Sequence, residues 1–381
     1  MTSQTVRRGS SGGAPAGSVL SGRALGRATL ARQYLLERSD LGALAMIEHL
    51  VGMQAQAPYP PYTGLWSRIR EFRHEQLAGL LLDRSVTRIL LQRGTVHLVS
   101  AADCHLLRPV VQPVIERMYV TAKEMAAAGD PKLIARHTHE LMAGTTMTPV
   151  ELGAALADRI PGGAPRSLSN IARALVPMVQ TPPRAVWGAG GTTRYALSDE
   201  WLGTPASRGL QRVPTQAVQD VIRRYLGAFG PATVADVQAW CGLTKLQEIT
   251  DQMPDLLTFR TEGGRDLLDV PGAALPGADA PAPVRYLPEF DNVVLSHTDR
   301  SRLIDNAHRP VIFSRNGLVA ATFLIDGRVG GTWRCDAGVV SVTSFAPLSA
   351  EHAQELAREG IALGRFLSDP GTDVSVRFLR A

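Results

Sequence analysis

Apolar positions recur along this chain with two periods, one suited to helices and one to strands. Leu30, Tyr34 and Leu35 share a face of a helix expected over Ser21 to Arg38. Asp40 is placed to cap the next helix, Leu41 to about Met53, where Leu44, Ile47, Leu50 and Val51 return at helical spacing. That helix must stop before Pro58, so Gln54 and Gln56 are expected at its end, ahead of Tyr59-Pro60-Pro61-Tyr62. Short helices are expected at Gly64 to Phe72 and Glu75 to Leu82. From Thr87 to Val99 the period changes. Two runs of strand formers meet at Arg93-Gly94, which predicts a β-hairpin.

The order of helices followed by a hairpin returns twice. A long helical region is expected from a cap at Ser100 to about Ala128, broken at Gly129-Asp130-Pro131. Thr148-Pro149-Val150-Glu151 has capping-box form with proline at the first helical position, opening a helix to about Arg159. Ser167 to Val176 is a second helix, and Arg184 to Leu197 holds two strand-like runs around Gly188-Ala189-Gly190-Gly191. Thr215 to Ala228 and Val234 to Trp240 are helical, Thr244 caps Lys245 to Met253, and Leu256 to Val270 reads as a hairpin turning at Gly263-Gly264. Helices followed by a hairpin make a winged helix, and three copies in series predict tandem winged helices. Beyond an Ala/Pro/Gly linker from Gly272 to Pro283 the character changes. Val311 to Phe313, Leu318 to Ile325, Val329 to Arg334 and Val339 to Val342 are strand-like. Asn316-Gly317 and Asp326-Gly327 are two-residue hairpin signals. Ser349 to Leu367 is one amphipathic helix and Val374 to Leu379 a last strand.

The expected fold is therefore mainly α with an α+β C-terminal part. Residues 1–18 are expected to be a disordered tail, 19–145 a first winged helix with a helical extension, 146–212 and 213–271 the second and third, and 284–381 a β-rich domain. The tail is rich in Ser, Gly, Thr and Ala, and around Arg7-Arg8 it lacks the apolar core of a secretory signal.

Composition narrows the function. No stretch of 18 or more apolar residues occurs, so no membrane span is expected. Cys104, Cys241 and Cys335 lie far apart without a CxxC pair, which argues against zinc or a disulfide framework and fits a reducing cytoplasm. The formal charge is +5, mildly in favour of nucleic acid. Lys123, Lys132 and Lys245 are the only lysines, and arginine, the better bidentate partner of phosphate and guanine, supplies the rest. A GC-rich genome would also favour arginine codons. His137 and His139 are two apart, which is not helical ligand spacing, so no metal site is expected. No P-loop is present, and Gly188 to Gly191 lies between strand runs rather than before a helix, so no nucleotide cofactor is expected.

Candidate DNA contacts are Arg166 and Arg173 around the helix start at Ser167, and Arg88, Arg93, Arg184 and Arg194 on or near wings. Asp291 and Asp299 are paired carboxylates suited to acid-base work, or equally to a turn cap and a salt bridge with Arg300. Gln54 and Gln56 are a different kind of candidate. Neutral amides exchange no protons near neutral pH, but a pair of them can hold a water in a fixed place.

Several segments together resemble the bacterial winged-helix DNA glycosylases, the superfamily with AlkZ-like and YcaQ-like branches. They are Met53-Gln54-Ala55-Gln56-Ala57-Pro58, Gln92 to Val99, Leu287-Pro288-Glu289-Phe290-Asp291, Arg300, and Gly331-Thr332-Trp333-Arg334. The superfamily carries glutamine, an aliphatic residue, then glutamine in the AlkZ-like branch or aspartate in the YcaQ-like branch, and Gln54-Ala55-Gln56 has the AlkZ-like form. The resemblance implies three winged helices and a β-rich C-terminal part around a channel for duplex DNA. It implies excision of N7-alkylated purines without a cofactor, and in some members unhooking of interstrand crosslinks and self-resistance to a DNA-alkylating natural product. Carried over, Gln54 and Gln56 are the catalytic pair, and Arg93, His97, Asp291, Arg300, Trp333 and Arg334 are DNA contacts. With no lysine in a matching motif to form a Schiff base, a monofunctional hydrolase is expected, working as a monomer at the nucleoid. Two other readings stand beside this one. A non-enzymatic winged-helix regulator would share the fold. A helix C-cap without chemistry would account for the glutamines.

Overall fold

The computed structural model describes residues 16–203 and 213–379. Most of the expected tail lies outside them, but its last residues are tied down: Gly17 N–H donates to Thr258 O at 2.8 Å. Strand β1 (Val19–Leu20) then runs parallel to a strand far along the chain, and helix α1 (Gly22–Arg32) follows, capped by Ser21.

The first helix–hairpin repeat begins at α2 (Ala43–His49). It continues through β2 (Met53–Gln54), α3 (Pro60–Arg68), α4 (His74–Leu82), β3 (Val86–Leu90) and β4 (Val96–Ser100). Helices α5 (Ala101–Tyr119) and α6 (Ala122–Ala128) lead to α7 (Pro131–Met142), α8 (Pro149–Arg159) and α9 (Pro165–Leu175). The capping box at Thr148 forms as expected, with both reciprocal bonds to Glu151. The second hairpin is β5 (Met178–Gln180) with β6 (Tyr195–Leu197), followed by α10 (Ser198–Leu202). It starts earlier than the expected Arg184, because Val179 and Gln180 pair with Ile89 and Arg88 of β3. The glycine-rich segment 188–191 therefore lies in the loop.

The third repeat is α11 (Thr215–Phe229), α12 (Val234–Cys241), α13 (Gln247–Thr250), β7 (Leu257–Thr261) and β8 (Asp266–Asp269). In each repeat a helix leads to a short extended segment that bridges to the last strand of the following hairpin. Met53 pairs with Leu98, Met147 with Tyr195 and Ala232 with Leu268. The first two hairpins merge into one sheet, β2-β4-β3-β5-β6, and the third joins β1 in the order β1-β7-β8. Residues 19–33, expected in the first unit, lie against the third. The Arg32–Asp269 pair at 2.6 Å is buried on both sides, and Gln33 Nε2 donates to Ala228 O at 2.7 Å.

The C-terminal part comprises β9 (Arg285–Leu287), α14 (Asn292–Leu295), α15 (Arg309–Ile312), β10 (Thr322–Ile325), β11 (Arg328–Asp336), β12 (Val339–Ser344), α16 (Ala350–Leu367) and β13 (Ser375–Leu379). Its sheet has the order β13-β12-β11-β10-β9. The turn at Asp326-Gly327 has both residues at positive φ, 46° and 70°, as a two-residue hairpin requires. Val311 and Ile312 sit in a helical turn rather than the expected strand, with Pro310 in its first turn. The apolar core from β3 and β4 through α5 to α11 and α12 is continuous, so the hairpin that faces β2 is anchored from behind.

Candidate active site

Helix α2 ends at His49, earlier than the apolar spacing predicts. Val51 and Gly52 both take positive φ, 53° and 86°, and the chain turns into β2. Gln54 and Gln56 therefore belong to an extended segment, not a helix end. Gln54 lies opposite His97 of β4, and Ala55 N–H donates to Val96 O at 2.8 Å. Alternation along an extended chain puts the two glutamines on one side and Ala55, fully buried, on the other. The small apolar residue between the amides is thus a core residue.

Strand β2 is an edge, and an edge strand needs partners for its outward backbone groups. Asn292 supplies them: its Oδ1 accepts from Gln54 N–H at 3.3 Å, and its Nδ2 donates to Gly52 O at 2.6 Å. Asn292 is the first residue of α14, directly after the loop 288–291, where Phe290 takes φ 58°. Asp291 fixes that loop, accepting from both terminal amines of Arg68 at 2.8 Å while capping α14 at Val293 N–H. Both side chains of this pair are 1% exposed. Met53, Pro60, Pro61, Pro288, Glu289 and Gln54 line a small cleft, with about 10 Å³ of free space, that opens to solvent, with Glu289 exposed at its rim.

The two glutamines are hydrogen-bonded to each other. Gln54 Nε2 donates to Gln56 Oε1 at 2.9 Å, and Arg93 Nη2 donates to Gln54 Oε1 at 2.7 Å. Gln54 is 7% exposed, whereas Gln56 is open to solvent. Arg88, expected on a wing surface, is buried beneath this segment and donates to Ala55 O at 2.5 Å. Burial pushes Arg88 down to about 10, with Arg184 adding to the shift, so it stays cationic near neutral pH.

The remaining sequence candidates divide between interior and surface. His97 is buried; its Nδ1–H donates to Thr95 O at 3.0 Å, and burial, with the nearby Arg93 charge, pushes it down to about 3. It is a neutral imidazole. Arg93 is partly buried, with both of its bonded amines aimed at protein oxygens, and Asp291 is buried and spent on Arg68. Arg300 is partly buried, with its guanidinium 4.3 Å from the Phe313 ring, and burial lowers its pKa. Trp333 Nε1–H donates to Leu287 O at 2.9 Å, while Arg334 beside it on β11 is exposed. Asp299 pairs with Arg265, not with Arg300 or Asp291. His137 lies beside Glu140, and among the described residues no group of three His, Cys, Asp or Glu could hold a metal ion. Asn292 and Arg68 were not singled out in the sequence. Asn292 adjoins the Leu-Pro-Glu-Phe-Asp segment, which was the available signal, but nothing local to Arg68 marks its pairing 223 residues away.

Comparison with known proteins gives the fold and the site a context. A curated protein of Streptomyces sahachiroi, named interstrand DNA cross-link repair glycosylase, is 26% identical over 339 residues, covering 82% of this chain and 88% of that protein. The solved structure of Streptomyces sahachiroi DNA glycosylase AlkZ superposes with a TM-score of 0.78 at 22% identity, covering 95% of this chain and 100% of that one. Residues 47–366 match the family described as DNA glycosylase AlkZ-like, from just before Gln54 to the end of α16. The chain belongs to the AlkZ-like DNA glycosylases and is an enzyme that acts on DNA.

Proposed function

We propose that this glycosylase hydrolyses the N-glycosidic bond of N7-alkylated purines in duplex DNA, with a water held by Gln54 and Gln56 as nucleophile. The observation that carries this reading is the hydrogen-bonded amide pair beside the cleft, in which each side-chain oxygen accepts one bond and keeps a lone pair for a water. An N7-alkyl purine already carries positive charge, so its glycosidic bond is weak. The water oxygen bonds to the anomeric carbon as the bond to N9 breaks. The bonding pair neutralises the purinium, and the water's proton passes to solvent beside exposed Gln56. A fixed polar group of this kind contributes about 10- to 1000-fold in rate, enough for a leaving group that is already activated.

The three bridged repeats are read as tandem winged helices that, with the C-terminal domain, surround a channel for duplex. The proposed units are 19–145, 146–212, 213–271 and 284–381, with the first helix bracing the third. Arg300, Trp333 and Arg334 are the proposed DNA contacts. Arg93, His97 and Asp291 are proposed to support the site from within. The three lysines are exposed and none lines the cleft, which supports a monofunctional enzyme. The small cleft has no room for a flipped base, which favours an adduct that is not fully flipped; the name of the Streptomyces relative supports crosslinked duplex as a substrate, and self-resistance is the proposed role. The proposed working form is a monomer at the nucleoid.

The test is purified protein on two duplexes, one with N7-methylguanine and one with an N7-guanine crosslink. Free base and an abasic strand that breaks only after added alkali are expected from the first, and an unhooked strand from the second. Breaks without alkali would rule out the monofunctional step, and no base release from any N7 adduct would overturn the reading.

A further inference from the structure

A side-chain amide is nearly symmetric in shape, so the space around it rarely decides which end is oxygen and which nitrogen. A catalytic amide pair needs that decision made, because an N–H in place of an oxygen would repel the O–H of the water it should hold. At Gln54 the neighbour that decides is a guanidinium, which only donates. Arg93 Nη2 lies 2.7 Å from Gln54, so the atom facing it must be the oxygen. The nitrogen then faces Gln56 at 2.9 Å, and the atom there must accept. One cation orients two amides in series.

Arg93 is itself held for this task. It occupies the turn between β3 and β4 at φ 54°, a left-handed conformation that a non-glycine residue keeps only where the surroundings insist. Its Nη1 donates to Trp240 O of the third repeat at 2.5 Å. The neighbouring Gly94 O accepts from Tyr119 Oη–H at 2.8 Å. Among the described residues no carboxylate lies within ion-pair distance of Arg93 to draw its donors away.

We infer that Arg93 is a positioning residue that sets the polarity of the Gln54–Gln56 pair, an inference that rests on the proposed role of the two glutamines. Arg93 acts through Gln54 and not by gripping a phosphate, since both of its amines that form bonds point at protein oxygens. Burial pushes Arg93 down to about 10, which leaves it protonated and donor-only throughout the neutral range.

The test is a cycle of single-turnover excision at saturating enzyme, on duplex carrying N7-methylguanine, with wild type, Arg93→Met, Gln54→Ala and the double variant. Arg93→Met is expected to slow excision about 10- to 100-fold, with the dissociation constant for DNA and its salt dependence unchanged. In the Gln54→Ala background the same change should cost less than about 2-fold, because its route is already gone. Arg93→Lys, still a donor-only cation, should recover part of the loss. Full excision by Arg93→Met, a loss that appears only as weaker DNA binding, or an equal loss in the Gln54→Ala background would each overturn the inference. If Arg93→Met does not fold, Arg93→Gln takes its place in the cycle with the same outcomes, because its amide can present either atom. Full rates for both Gln54→Ala and Gln56→Ala would instead sink the proposed role of the glutamines. Slow glutamine variants with an unaffected Arg93→Met would sink only the inference.

Discussion

The first and third repeats share one topology and use it differently. In the third, the bridge to the hairpin is the single residue Ala232, fully buried, with both backbone groups bonded to Leu268 at 3.0 and 2.8 Å. A capped helix begins immediately after it at Thr233. In the first, the bridge runs on through Ala55 and Gln56 before the prolines, and a loop from the C-terminal part completes its edge. The hairpin turns differ likewise. The third turns on Gly263 and Gly264, and its Arg260 and Arg265 form exposed pairs with Asp266 and Asp299. The first turns on Arg93, inward and without an acid. The topology alone therefore carries no chemistry. The proposed chemistry sits where the bridge runs three residues further, through Gln54, Ala55 and Gln56, and the turn cation is aimed at an amide.

The largest effect should come from releasing the loop that completes the first bridge. Asp291→Ala leaves Arg68 as an uncompensated charge at 1% exposure, and a broken pair of this kind costs about 3–5 kcal/mol. Denaturant melting measures it. A loss under about 1 kcal/mol would show that the loop does not depend on this pair, and the contrast with the self-sufficient bridge at Ala232 would weaken.

Within the first bridge the two amides should not be equal. Gln54 is buried and bonded through side chain and backbone to Arg93, Gln56 and Asn292, whereas Gln56 is exposed and bonded to Gln54. Gln54→Ala should fall at the upper end of a range of about 10- to 1000-fold in single-turnover excision, and Gln56→Ala nearer its lower end. DNA affinity should hold in both. Equal losses would mean that Gln56 is fixed by the substrate rather than by Gln54. Smaller still is Arg265→Ala in the third hairpin. That pair is 59% and 40% exposed, so stability should drop by no more than about 1 kcal/mol in melting experiments, with excision unchanged.

This contrast explains which parts of the molecule were legible in the sequence. Turns and caps are local, so the hairpins at Arg93-Gly94 and Gly263-Gly264 and the capping box at Thr148 were written in neighbouring residues. The end of α2 was not. The helical period runs on through Val51, and only pairing with β4, more than 40 residues later, makes Met53 and Gln54 a strand. β5 was missed for the same reason, since it pairs with the distant β3 as well as with β6. At the site, the glutamines could be named because their spacing and surroundings resemble a family pattern. Asn292 and Arg68 act through contacts across more than 200 residues, and no period or motif encodes those. Arg93 was named as a DNA contact because its position in a hairpin turn was visible while its inward direction was not.

The smallest expected effect is the most discriminating, because it is an absence of change in rate. The amides do not titrate, Arg93 is held at about 10 and His97 at about 3, so none of these groups changes charge between about pH 6 and 9. Excision at saturating enzyme should stay level within about 2-fold across that range. Stability should behave differently. His97 and His297 are both pushed below the ordinary histidine value by burial. Below about pH 6.5 the unfolded chain takes up protons at these histidines that the folded chain refuses until about pH 3. The unfolded state then binds more protons, so the stability they contribute is intact above that pH and is lost progressively as the pH falls through the window. Melting temperature against pH should slope downward on the acid side of about 6.5 while the rate of the folded enzyme does not. A rate that follows one proton with a midpoint near 7 would place a titrating base at the first bridge, and the glutamines would then be scaffolding as inert as Ala232.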